Sequence, residues 1–104
     1  VALTAAMSAA QTLERIALEA DREARSLKDL ASKLRSLGAQ VTSAIGGTAT
    51  GEDRTMLGYV RAVERDMDRA ADALFTGAKE AREAAAAERR REEQQQRQQS
   101  KGTR

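Results

Sequence analysis

The 104-residue chain contains no cysteine, histidine, proline or tryptophan, and its only aromatics are Tyr59 and Phe75. Without cysteine there is no disulfide framework and no thiol chemistry. Without histidine the commonest general base is missing, together with the usual nucleophile pairs and the common zinc sites. The Glu-x-x-His motif of bundle-type di-iron proteins cannot occur either. No apolar run approaches the roughly 20 residues of a membrane-spanning helix, and Val1-Ala2-Leu3-Thr4 lacks the basic start and apolar core of a cleaved signal peptide. No catalytic, cofactor-binding or metal-binding residues are expected, and neither a cofactor nor a small-molecule substrate.

Alanine dominates what is present. Apolar residues make up 40% of the chain, but large aliphatic side chains are sparse. So thin a core, in so short a chain, is expected to be completed against another chain. The net charge of +2 is unevenly placed. Residues 1–87 carry 12 basic and 13 acidic side chains, whereas residues 88–104 carry 6 basic and 3 acidic. The basic character thus belongs to the tail.

Missing proline allows long helices, and the glycines say where they break. Ala44-Ile45-Gly46-Gly47-Thr48-Ala49-Thr50-Gly51 holds three of the seven glycines. Paired glycines are costly in a helix and supply the positive φ of a C-terminal cap. Before this segment the spacing predicts a helix over about 4–44, its start near Thr4 or at the capping box Ser8-Ala9-Ala10-Gln11. A seven-residue series runs through it as Leu13, Ala20, Leu27, Leu34 and Val41. After the turn (45–50), Thr50 followed by Glu52 and Asp53 reads as a helix start over about 51–87. Its stripe, Met56, Val60, Val63, Met67, Ala70, Leu74, Gly77, Ala81 and Ala84, alternates steps of four and three. Beyond Glu88 the sequence is polar and low in complexity, predicting a solvated helical extension or a disordered tail.

The two stripes match when folded about the turn so that paired residue numbers sum to 97. Val41 then meets Met56, Leu37 meets Val60, Leu34 meets Val63 and Leu30 meets Met67. Leu27 meets Ala70, Ala24 meets Leu74, Ala20 meets Gly77 and Ile16 meets Ala81. The expected fold is all-α: a helical hairpin whose core is Leu27, Leu30, Leu34, Leu37, Val41, Met56, Val60, Val63, Met67 and Leu74, with Gly77 permitting a close contact. Ala17, Ala24 and Ala31, with Leu57, Ala71, Phe75 and Ala78, are left beside that seam. They are expected to receive a second hairpin in a four-helix bundle, with Phe75 as the anchor; the bland alternative is that they are only the edge of the seam.

Other motifs carry less. Asp68 with Asp72 and Glu19 with Glu23 read as a solvated face interleaved with arginines. Gly46, Gly47 and Gly51 lack the following lysine and preceding strand of a phosphate loop. Arg89, Arg90, Arg91, Arg97, Lys101 and Arg104 form a basic tail, but Glu88, Glu92 and Glu93 interrupt it and no aromatic is present to stack bases. Nucleic acid is an unlikely partner on these grounds.

A glycine turn in the middle of a helical hairpin of this size resembles the WXG family, the small early-secreted-antigen-like proteins of type VII secretion. Ala44 to Glu52 line up with that family's Trp-x-Gly turn: Ile45 stands at the tryptophan position, Gly46 at the variable one, and Gly47 matches the glycine. The resemblance covers roughly residues 3–87. It implies a non-enzymatic secretion substrate or export partner that acts as a dimer with itself or a related hairpin. A secretion ATPase is a further implied contact, and the location would be outside the cell after export without a cleaved signal. Two departures stand out. The tryptophan is replaced by isoleucine, and the family's C-terminal tyrosine with an acid four residues on is missing, since Tyr59 is followed by Val63. Export would then need the signal on a partner. The alternative expectation is a cytoplasmic antiparallel coiled-coil adaptor or scaffold, its basic tail contacting nucleic acid.

Overall fold

A computed structural model describes residues 8–48 and 50–102. The expected start at Thr4, Ala49 of the turn and Arg104 of the tail lie outside them. The fold is all-α, a hairpin of two long helices: α1 spans Ala9–Ile45, a 3₁₀ turn spans Gly46–Thr48, and α2 spans Gly51–Gly102.

Local chemistry sets the helix ends. Ser8 caps α1: the Gln11 N–H donates to Ser8 Oγ at 3.1 Å, and the Ser8 N–H donates back to Gln11 Oε1 at 3.1 Å. This reciprocal box satisfies two backbone donors that the first helical turn leaves without partners. At the other end Gly46 adopts φ +59°, the left-handed conformation that closes a helix and that a Cβ disfavours. Helix α2 opens with a second box, in which the Asp53 N–H donates to Thr50 Oγ1 at 3.2 Å and the Thr50 N–H donates to Asp53 Oδ2 at 3.0 Å. Glu52 and Asp53 lie in the first turn of α2, where their charge favours the positive end of the helix dipole. Nothing interrupts α2 at residue 88. It runs through the polar segment to Gly102.

The chain packs as two units. One comprises residues 22–75 and contains the turn; the other combines the segments 1–21 and 76–104. We call them the turn unit and the outer unit.

What is buried differs from the size-matched pairing. The buried side chains among the described residues are all alanines: Ala24, Ala31 and Ala71 in the turn unit, and Ala10, Ala17, Ala78 and Ala85 in the outer unit. They fall at every seventh residue on each helix, one face in a repeat of two turns. Of the expected core, Leu30, Leu37, Met56 and Val63 are exposed, while Leu27, Leu34, Val41, Val60, Met67 and Leu74 are only half-buried. The alanines expected to await a partner, Ala17, Ala24, Ala31, Ala71 and Ala78, are already covered within the chain. The physical reason is width. A pair of helices can bury only one narrow seam, and small residues there let the backbones approach closely while the larger side chains are displaced to its flank. Nothing lies within 4 Å of where a Cβ on Gly77 would sit, so the close contact expected there does not form.

Candidate interaction surface

Ion pairs close one flank of the alanine seam. In the outer unit, Arg89 donates from Nε to Glu14 Oε1 at 2.7 Å and from Nη2 to Glu14 Oε2 at 2.8 Å. One repeat further along α1, Asp21 accepts from Arg82 Nη1 at 2.6 Å. Residues seven apart on one helix thus meet residues seven apart on the other, and buried Ala17 and Ala85 each lie between those paired positions.

In the turn unit the next two positions of the same row are Lys28 and Arg35. Lys28 Nζ lies 3.3 Å from Asp68 and 3.1 Å from Asp72. Arg35 reaches Glu64 at 2.6 Å and Asp68 at 3.4 Å. The Lys28 ammonium is held above its ordinary pKa, first by the hydrogen bond to Asp72; desolvation opposes this, and the hydrogen bond and charge of Asp68 with the charge of Asp72 add to the rise. At the start of α2 the Asp53 carboxyl is pushed below the usual carboxylate range, first by the hydrogen bond it accepts from the Thr50 backbone N–H and then by the Thr50 hydroxyl. Beside the Arg35 pairs a groove of about 450 Å³ opens at Gly38, lined also by Thr42, Val60 and Arg61.

The other flank of the seam is apolar and open. On α1 of the turn unit its outermost row is Leu30 and Leu37, 44% and 50% exposed. On α2 it is Met56, Tyr59 and Val63, 62%, 70% and 44% exposed. The charged flanks of the two helix segments meet in ion pairs, so their apolar flanks lie together on the opposite side of the seam. Half-buried Leu27, Leu34, Val41, Val60, Met67 and Leu74 back these exposed side chains. A contiguous apolar surface of this kind marks a binding face more often than a solvent face.

Phe75 is not part of that face. It is half-buried and shares its row on α2 with Asp68, Arg82 and Arg89, the residues of the ion-paired flank. Leu57 is likewise half-buried. The alanines of the expected docking surface are thus covered within the chain, while of the expected core Leu30, Leu37, Met56 and Val63 are exposed and the rest half-buried. Sequence size-matching passed over the one signal that distinguishes them, the row Glu14, Asp21, Lys28 and Arg35 with its complementary charges on α2. The turn motif Ile45-Gly46-Gly47 forms the end of α1 and the 3₁₀ turn.

No family model, curated protein or solved structure matches the chain. Among the described residues there is no cluster of three metal-ligating side chains, and no helix is long and apolar enough to cross a membrane. The surface offers hydrophobic contact along a helix pair.

Proposed function

We propose that this chain is a non-enzymatic helical-hairpin protein that pairs with another hairpin into a four-helix bundle, and that it acts in type VII secretion as a substrate or export partner. The observation that carries the pairing is the exposed apolar row Leu30, Leu37, Met56, Tyr59 and Val63. Area points the same way. The chain exposes 8089 Å², whereas a folded monomer of 11.2 kDa is expected to expose roughly 5,700 Å². Part of that excess belongs to the polar extension of α2. The remainder accommodates the roughly 800 Å² per partner that a standard interface covers.

The secretion assignment rests on the resemblance of the Ile45-Gly46-Gly47 turn and the two-helix plan to the WXG family.

Light scattering tests the pairing. The mass is measured for the protein alone and for the protein co-expressed with a hairpin encoded beside its gene. A stable 1:1 complex or a homodimer is the expected result. A folded monomer at every concentration, with no complex on co-expression, would refute the pairing. A cytosolic fraction unchanged by loss of the secretion ATPase would refute export.

A further inference from the structure

Two repeats that hold the hairpin together both fail at one place in the turn unit. The first is the seam. On α1 the buried alanines Ala17, Ala24 and Ala31 are followed seven residues on by Gly38, and on α2 the series Ala85, Ala78 and Ala71 is continued by Glu64. Gly38 puts no side chain into the seam, and the place of its missing Cβ is 3.9 Å from Val60 Cγ1, an ordinary contact. Glu64 is held by Arg35 at 2.6 Å. The groove of about 450 Å³ opens where alanines would otherwise stand, and its volume falls within the range of small-ligand sites. The second repeat is the row of ion pairs. Glu14 meets Arg89, Asp21 meets Arg82, and Arg35 reaches Asp68. One step of seven beyond Arg35 and Asp68, the same two rows bring Thr42 and Arg61 to the groove. Thr42 is no acid, and its hydroxyl donates to the Gly38 carbonyl at 2.8 Å. Arg61 is exposed and makes no ion pair among the described residues. Other bases, Arg54 and Arg65 among them, also lack an ion pair, but of these only Arg61 lines the groove.

We propose that this groove binds a small amphipathic monocarboxylate, whose carboxylate takes the place of the missing acid on Arg61 and whose hydrocarbon lies along Leu34, Ala39 and Val60. The charge of the lining fits one anionic group. Its titratable side chains are Arg35, Arg61 and Glu64, and Glu64 already answers Arg35, so a single positive charge is left over. A guanidinium presents paired N–H donors that match a carboxylate, and Ser43 adds a hydroxyl at the rim. A second negative charge would meet no second free cation, which disfavours a phosphate monoester. Length limits the occupant as well. The lining on α1 runs from Leu34 to Ser43, roughly 13 Å at the rise of a helix, which suits a small molecule better than a helix. The groove lies on the ion-paired flank, away from the exposed row of Leu30, Leu37, Met56, Tyr59 and Val63, so it is open to a ligand whether or not hairpins pair.

The test is an amide NMR titration of the isotope-labelled full chain. Sodium hexanoate is the probe, hexylamine its cationic counterpart, and inorganic phosphate an anion without a hydrocarbon. Hexanoate should move the amides of Gly38, Ala39, Thr42, Ser43 and Arg61 saturably in the millimolar range, and the other two compounds should move them much less. Arg61→Gln should weaken hexanoate about fivefold, the upper end for an exposed charge pair. Thr42→Glu supplies the absent acid from within the chain and should weaken hexanoate at least as much. Circular dichroism checks that both variants keep their helix content. Hexylamine acting as strongly as hexanoate would reduce the contact to apolar burial and overturn the proposal. Phosphate acting as strongly would reduce it to an adventitious ion only, with the same consequence. Binding that survives both Arg61→Gln and Thr42→Glu would place the carboxylate elsewhere, and no saturable shift in tens of millimolar hexanoate would leave the groove without this ligand; either result overturns the proposal.

Discussion

The outer unit and the turn unit are built on the same alanine repeat, yet their charges run in opposite senses. In the outer unit α1 supplies the acids, Glu14 and Asp21, and α2 the arginines, Arg89 and Arg82. In the turn unit α1 supplies the bases, Lys28 and Arg35, and α2 the acids, Glu64, Asp68 and Asp72. Alanine alone would set no register, since a seam of identical small residues matches itself after any slip of seven. The reversal of charge supplies what the alanines lack: slipping the helices by two repeats would place acids against acids and bases against bases. The second difference is in bulk. Among the described residues most of the large apolar side chains lie in the turn unit, and the outer unit has only Leu13, Ile16 and Leu18.

That contrast predicts different consequences for the same substitution. Ala31→Leu in the turn unit and Ala17→Leu in the outer unit each force a branched side chain into a seam with no room for it, at a cost of about 1–3 kcal/mol. In the turn unit the loss should be global, lowering the melting temperature by at least ~4 °C. In the outer unit, with few large residues to hold it, the loss should be local: amide protection falls over residues 9–21 and 76–90 while the turn unit keeps its own. Hydrogen exchange followed by mass spectrometry separates the two. If Ala17→Leu unprotected both units equally, the contrast in bulk would have no energetic meaning.

Charge exchange probes the reversal itself and is a smaller effect. Asp21→Arg should leave Arg82 facing a like charge, and adding Arg82→Asp should restore most of the loss. The coupling expected for such an exposed pair is about 0.2–1 kcal/mol. The corresponding exchange of Arg35 with Glu64 in the turn unit should be recovered less completely, because Arg35 also reaches Asp68 and the new acid would face it. Thermal melts of the four singles and two doubles give both cycles. Equal recovery in the two units would show that Arg35 and Asp68 contribute little.

The helices and their ends were legible in the sequence because they depend on neighbours. Ser8 with Gln11, Thr50 with Asp53, and Gly46 each act within a few residues and leave a readable motif. The seam was misread because it depends on a choice between adjacent rows on one helix. The row of Leu13, Ala20, Leu27, Leu34 and Val41 is larger and more apolar than the row of Ala10, Ala17, Ala24 and Ala31. Ranking by size favours the first, but packing two helices closely favours the second. The tail continues α2 as a helix to Gly102, one of the two readings its sequence allows, but its contact with α1 is not legible there. Arg89 looks like one more charge in a polar run, and only its bidentate hold on Glu14 shows that the hairpin contacts extend past residue 88.

The smallest expected effect is a pH response of the turn unit with two edges. Asp53 has a folded pKa below its ordinary value because Thr50 donates to its ionised form. Its contribution is therefore complete above the ordinary carboxylate value and lost as pH falls through the depressed one. Lys28 has a folded pKa above its ordinary 10.5 because Asp72 and Asp68 favour the ammonium. Its contribution is complete below that ordinary value and lost as pH rises through the raised one. Between these edges neither group changes its charge, so their combined contribution should be flat across neutral pH. Protection of the first turn of α2 should decline in acid, and Asp53→Asn should remove most of that decline. Protection around Lys28 should decline only in strong alkali, and Lys28→Gln should remove that limb. An acid limb unchanged by Asp53→Asn would assign the loss to other carboxylates, and the second capping box would then contribute nothing measurable to the turn unit.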